Sequence, residues 1–319
     1  MKQRQLGKSD IQLSSIIMGL WQAGKEMWVG IDDKQTTAAI RAAYEAGITT
    51  FDTAEAYGKG HSEMILASAL SDVRDKVIYA TKVFANHLKY DQVLQACDRS
   101  LKNLQTDYID LYQIHWPSDS FGFDAVPIAE TMEALNTLKE QGKIRTIGVS
   151  NFSRPQLQEA QQYGHIDSLQ PPYSLFWRHV EKDTMPYCIE NNITILAYSP
   201  MAQGFLTGKF GPDHTFERGD VRARNKLFQP DMYGRVQQAL SRLEPIARQK
   251  GVTLGQLALS WVIAHPGTCA IAGARNADQA SGNAVAGTIA LSEQELADID
   301  EIGRGVTDFL DEDPVMWNF

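Results

Sequence analysis

Short β-rich runs that end in a polar or small residue alternate along this chain with longer stretches whose apolar positions recur at helical spacing. The runs are Ser15–Gly19, Thr49–Asp52, Val77–Lys82, Tyr108–His115, Thr146–Ser150, Ser168–Gln170, Ile193–Ser199 and Cys269–Gly273, eight in all. Between them the spacing predicts helices at Lys34–Ala46 (stopped by Gly47), Asp91–Leu104, Ile128–Glu140 (stopped by Gly142) and Arg154–Tyr163. Ser153, with Pro155 just inside the last of these, reads as a cap and start signal. Arg235–Lys250 and Leu254–His265 form a helical pair before the eighth run. Leu291–Ile302 carries Ser292 and Glu295 in a capping-box pattern.

Eight β/α alternations argue for a parallel sheet, and eight within a chain of 319 residues fit a closed (β/α)8 TIM barrel better than an open doubly wound sheet. The segment RQLGKSDIQLS, ahead of the first run, predicts a small N-terminal β-hairpin closing the barrel floor. With no linker or low-complexity tract in view, one barrel domain over residues 1–319, with a C-terminal tail, is the expected organisation.

Composition narrows the function classes. Hydrophobic residues at 43% and charged residues at 22% support a large core and argue against disorder. A net charge of −9 repels nucleic acid and anionic membranes, so neither is expected as a partner, and an anionic cofactor needs a local basic cluster. The first residues contain no apolar run of signal-peptide type, and no stretch approaches a membrane span. Cys97, Cys188 and Cys269 lie far apart, which fits a reducing, cytoplasmic setting with each thiol a small buried residue. The sequons at Asn151 and Asn192 would then be idle. The seven histidines show no metal-ligand spacing, so no metal is expected.

Barrel enzymes carry reactive groups at the C-terminal ends of their strands. Four candidates stand at or just past such ends: Asp52, Tyr57, Lys82 and His115. Taken singly, each has an ordinary reading: a helix cap, a packed loop aromatic, a salt-bridged lysine, a structural histidine. Together they form a device for carbonyl chemistry. Lys82, held by Asp52, is expected to lower the pKa of the Tyr57 phenol, and His115 can hydrogen-bond a carbonyl oxygen. The set polarises C=O and delivers a proton, but holds no electron source, so a nicotinamide hydride donor is implied.

At these residues the sequence resembles the aldo-keto reductase family. The matching stretches are FDTAEAYGKGHSE, YATKV, DYIDLYQIHWP, GKIRTIGVSNF, LQPPYSLF and AYSPMAQGFLTGKF, with weaker similarity over nearly the whole chain. The pattern is nearest the bacterial general-stress and inositol-operon-type branch, which is also similar to potassium channel β-subunits. The resemblance implies that Asp52, Tyr57, Lys82 and His115 are a catalytic tetrad and that NADPH lies extended across the barrel mouth. It implies that Ser150, Asn151 and Gln170 grip the carboxamide, that Tyr198 stacks on the nicotinamide, and that Trp21 and Asp52 also face the cofactor. The loop Ser199, Pro200, Met201 to Gly204 would wrap the pyrophosphate, with Lys209 and Arg222 supplying charge. A Walker loop is rejected there, since Phe210 stands where Ser or Thr is needed.

One departure falls at the eighth run. Where many family members carry a Lys-Ser pair and a later Arg for the adenosine 2′-phosphate, this chain has Gly273-Ala274 and Gln279. Arg275 remains to contact phosphate, and Asn283 matches an adenine contact. NADPH preference with some NADH use is therefore expected. Trp21, Phe84, Trp116 and Trp177 are expected to wall an apolar pocket for an aldehyde or ketone, and the tail ending in Trp317 and Phe319 to cover its rim, dock on the barrel or mediate a contact. Two rivals remain open: an NADPH-binding redox-sensing subunit with slow turnover, and an aldolase using Lys82 as a Schiff-base amine.

Overall fold

The structure is a computed structural model and describes residues 1–319 except Met27, Pro212, Pro314 and 317–319, together with the side chain of Val221. The tail aromatics Trp317 and Phe319 lie outside the described residues.

Ten strands are formed among the described residues. β1 (Gln3–Gln5) and β2 (Gln12–Ser14) pair antiparallel as the predicted hairpin. The remaining eight are β3 (Ile16–Gly19), β4 (Thr50–Asp52), β5 (Ile78–Val83), β6 (Ile109–Ile114), β7 (Ile144–Ser150), β8 (Ser168–Gln170), β9 (Thr194–Tyr198) and β10 (Thr268–Gly273). They close into a parallel barrel in chain order, with β10 pairing back onto β3. The fold class is the one expected.

Period-two alternation decides what the barrel interior contains. Ile17, Ala80, Leu111, Leu196, Cys269 and Ile271 form an interior cluster with Leu6, Ile11 and Leu13 of the hairpin, all buried. The hairpin thus plugs the floor with apolar side chains, each fully buried one worth about 1.5–3 kcal/mol. Two residues further along the same inward faces come Gly19, Lys82, Gln113 and Tyr198. The interior therefore turns from apolar to polar on approaching the C-terminal mouth. Outward-facing residues such as Phe51, Tyr79, Tyr112 and Ile147 pack into the larger cluster beneath the surrounding helices.

The helices follow from local signals. Ser153 caps Arg154–Ala160 through a capping box with Gln156, and Ser292 does the same for Glu293–Thr307 with Glu295. Thr253 and Gln256 form a third box at Leu254–Ala264. Among the described residues, three helices carry no sequence expectation: His61–Leu70, Thr184–Glu190 and Ala277–Val285. Their apolar periodicity is short or broken by glycine and proline. Pro230–Lys250 extends the expected element at its start, with Pro at its first turn. Among the described residues, no helix is long and apolar enough to cross a membrane.

Candidate active site

The four catalytic candidates converge at the mouth. The Lys82 ammonium donates to Asp52 Oδ1 at 2.6 Å and to the Thr53 carbonyl at 2.7 Å, and both side chains are essentially inaccessible. Lys82 Nζ lies 5.1 Å from the centroid of the Tyr57 ring. That ring meets His115 edge-on, centroids 5.5 Å apart. Residues from the ends of β4, β5 and β6 and from the loop after β4 are thereby brought together, as expected.

The electrostatics differ from expectation in one respect. The Tyr57 phenol is pushed well above its ordinary value, first by burial and then by the Asp52 charge. The ammonium meant to lower it is neutralised at contact distance by Asp52, so burial dominates. Burial likewise lowers the Lys82 amine against the pull of Asp52. His115 is held well below the usual imidazole range by burial and by Lys82, and its Nδ1 has no hydrogen-bond partner among the described residues. At neutral pH the site presents a protonated phenol beside a neutral imidazole.

Around this centre runs a continuous cavity of about 860 Å³. Trp21, Ser150, Asn151, Gln170, Tyr198, Ser199, Pro200, Met201, Gly204, Lys209, Arg222, Gly273, Arg275, Gln279 and Asn283 all line it, as do Asp52, Tyr57 and His115. Lys82 sits beneath them. The amide-bearing residues are already networked: Asn151 Nδ2 donates to the His115 carbonyl at 3.1 Å, and Tyr198 donates to Asn151 Oδ1 at 2.9 Å. Gln170 donates to Asp52 Oδ2 at 2.9 Å, and Ser150 to the Gln170 carbonyl at 2.7 Å.

The far end of the cavity suits a polyanion. After β9 the backbone turns left-handed at Ser199 (φ 53°), Ala202 (48°), Gln203 (54°) and Gly204 (95°), a conformation that curls the chain into a concave loop. Gln203 Nε2 is buried there without a hydrogen-bond partner among the described residues. Lys209 and Arg275 are both lowered by burial and by neighbouring cations, Arg222 among them, so three positive groups crowd one place. Arg222 is already chelated by Asp220 through two guanidinium nitrogens, which leaves Lys209 and Arg275 as the less compensated charges. Gln279 accepts from the Arg275 backbone N–H at 2.9 Å, and Asn283 donates to the Gly273 carbonyl at 3.1 Å. A dinucleotide with a phosphate-rich end fits this donor set.

The apolar wall needs one correction. Trp21, Phe84 and Trp116 line the cavity, but Trp177 does not. It is fully buried, beside His179 and under the Lys226 ammonium, because the chain folds back after β8 through a Ser174–Trp177 bridge. Phe121 and Trp28 occupy wall positions that the sequence reading missed. Gln113 was missed as well. It donates to Asp52 Oδ2 at 3.2 Å and accepts from Gln170 at 3.2 Å. Its position two residues before His115 on one strand face was the available signal.

The aldo/keto reductase family model matches residues 15–304, and the chain belongs to that family. It is 39% identical over 291 residues to the aldo-keto reductase YhdN of Bacillus subtilis, covering 88% of this chain and 86% of that one. It is 33% identical to the NADH-specific methylglyoxal reductase of Escherichia coli, over 96% and 99% of the two chains. Among solved structures it is similar to the glycerol dehydrogenase AKR11B4 from Gluconobacter oxydans, with TM-score 0.88, 34% identity and 97% of each chain covered. An aldo-keto reductase from Klebsiella pneumoniae, solved in complex with NADPH, matches at TM-score 0.77 and 30% identity over 100% of this chain and 99% of that one. The protein is accordingly an oxidoreductase that acts on carbonyl groups with a nicotinamide cofactor. Among the described residues there is no cluster of three or more metal-ligating side chains.

Proposed function

We propose that this protein is an NADPH-dependent reductase of aldehydes and ketones in which Asp52, Tyr57, Lys82 and His115 form the catalytic set. The observation that carries this reading is the buried Lys82–Asp52 pair lying under a Tyr57 ring that also faces His115. Ser150, Asn151, Gln170 and Tyr198 would hold the nicotinamide end, the loop from Ser199 to Gly204 the pyrophosphate, and Lys209, Arg222 and Arg275 the 2′-phosphate. When bound, reduced nicotinamide supplies the hydride.

The protein's own part is proton delivery and polarisation. Tyr57, protonated at neutral pH, donates its hydroxyl proton to the carbonyl oxygen as negative charge develops there. Lys82, 5.1 Å from the ring centroid, would offset part of the charge of the phenolate left behind, against burial and the opposing charge of Asp52. Neutral His115 serves as a hydrogen-bonding partner to the oxygen, since burial first and Lys82 second disfavour a charged imidazolium. The aromatic wall of Trp21, Phe84, Trp116 and Phe121 suits carbonyl compounds with apolar bodies.

NADPH is favoured over NADH because three cations gather where a 2′-phosphate would sit, and NADH retains some activity because the pyrophosphate loop serves both. The protein is read as one catalytic domain in the cytoplasm, with three buried free thiols and an acidic surface that suits neither nucleic acid nor anionic lipid.

The test combines fluorescence-quenching titration of NADPH and NADH with steady-state rates on a panel of aldehydes. Tyr57→Phe should keep NADPH affinity and lose about 10²–10⁴-fold in kcat. Full activity in that variant removes Tyr57 from its role. Tight NADPH binding with negligible wild-type turnover on every aldehyde would return the sensing-subunit reading.

A further inference from the structure

The loop that carries Tyr57 is tied to the end of β5 by one nearly buried carboxylate that the catalytic scheme does not use. Glu55 stands two residues before Tyr57, and its side chain is 9% exposed. Its Oε1 accepts the backbone N–H of Phe84 at 2.9 Å and Nδ1–H of His87 at 2.8 Å. Its Oε2 accepts from the Arg99 guanidinium at 3.1 Å, reaching the helix Tyr90–Leu104. The Glu55 backbone N–H donates to the Lys82 carbonyl at 3.3 Å. Three elements therefore meet on one residue.

The consequence runs to the reacting groups. Phe84 lines the cavity and meets His115 edge-on, centroids 5.5 Å apart, in the same geometry that His115 makes with Tyr57. Phe84 also stacks on Phe121 at 5.7 Å. A shift of the β5 end would move Phe84, which with Tyr57 is one of the rings that meet His115 edge-on among the described residues.

We propose that Glu55 is a positioning residue for carbonyl reduction, and that its hydrogen bond to the Phe84 amide, rather than its charge, sets the spacing between Tyr57, His115 and the apolar wall. This rests on the catalytic reading of Tyr57 given above. A misplacement of about 1 Å at a reacting group can cost as much as 10²-fold in rate.

The test uses the full-length protein with NADPH and an aromatic aldehyde. Glu55→Gln keeps an oxygen acceptor at the same reach, whereas Glu55→Asp keeps the charge and withdraws the oxygen by one methylene. The expected order is unusual for a buried acid: Gln within about threefold of wild type in kcat, Asp and Ala down about ten- to a hundredfold. KM for NADPH should stay within about twofold, and KM for the bulky aldehyde should rise, a split that general loosening would not produce. A second readout needs no cofactor. Amide hydrogen exchange should quicken over 53–58 and 82–87 in the Asp variant and not in the Gln variant, with the floor hairpin unchanged. If Asp equals or exceeds Gln in kcat, or if both fall together in step with melting temperature, the proposal is wrong. Should Ala not fold, the Gln and Asp pair decides alone. Failure of the wild type to reduce any aldehyde would instead strike the reductase reading, and the exchange pattern would still report on the Glu55–Phe84 bond.

Discussion

The carboxylate of Asp52 faces donors from three other strands at once: Lys82 on β5, Gln113 on β6 and Gln170 on β8. Those donors satisfy both carboxylate oxygens and hold Lys82 Nζ 5.1 Å from the centroid of the Tyr57 ring. His115 is a buried group kept neutral. Its folded-state pKa is depressed below the ordinary imidazole value, so the unfolded chain takes up a proton that the folded chain refuses. The stability associated with its neutrality is present above the unfolded value of 6.5 and is lost as pH falls towards the folded value. His115→Leu should therefore flatten the acid side of the stability curve. Urea unfolding at pH 7 and at pH 5 should show the wild type losing up to about 1.4 kcal/mol per pH unit more than the variant. Parallel losses in both proteins would mean that His115 is not the buried neutral group described.

At the scale of elements, the mouth depends on one close backbone approach. The turn Trp21–Gly24 after β3 presses against the loop bearing Tyr57. A Cβ at Gly24 would stand 2.7 Å from the Gly58 backbone nitrogen and 2.7 Å from the Tyr57 carbonyl carbon, and backbone atoms cannot yield as a side chain can. Gly24→Ala should cost about 1–3 kcal/mol in unfolding free energy by overpacking. It should also lower kcat more than it weakens NADPH binding, because Tyr57 is what moves. Denaturant melts and a kinetic comparison check both, and wild-type kcat would dissociate that contact from catalysis. Elements also show what could be read from sequence. The strand ends were legible to within about a residue because each run stops at a polar or small residue: Asp52 ends β4, and Lys82 stands one residue before the end of β5. Trp177 was misjudged because seven residues past β8 the chain has already folded back, and distance along the sequence carries no direction. Phe121 and Trp28 sit in loops without periodicity, so no pattern turned them towards the cavity. Gln113 lies within β6 rather than at its end, and the candidates were sought at or just past strand ends.

At the scale of the whole molecule, two fields oppose each other. A net charge of −9 repels an anionic dinucleotide at long range, while Lys209, Arg222 and Arg275 form the local cluster of cations that, on the proposed reading, attracts it at contact. Salt separates them. The Debye length is about 8 Å at physiological ionic strength, so the distributed repulsion is already largely screened in ordinary buffer. What further salt weakens is the short-range attraction, and most of all the share directed at a 2′-phosphate. NADH lacks that phosphate but shares the pyrophosphate, so the ratio of the two affinities isolates the cationic cluster. That ratio should fall several-fold between about 0.05 M and 0.5 M potassium chloride as NADPH binding weakens faster. Arg275→Met should lower NADPH affinity about tenfold or more, from the loss of a charge-assisted contact of about 1.5–3 kcal/mol, and leave NADH affinity nearly unchanged. The variant's ratio should also lose most of its salt dependence. A salt-independent ratio in the wild type, or equal losses for both nucleotides in the variant, would place the 2′-phosphate away from Arg275 and leave the pyrophosphate as the anion that this cluster serves.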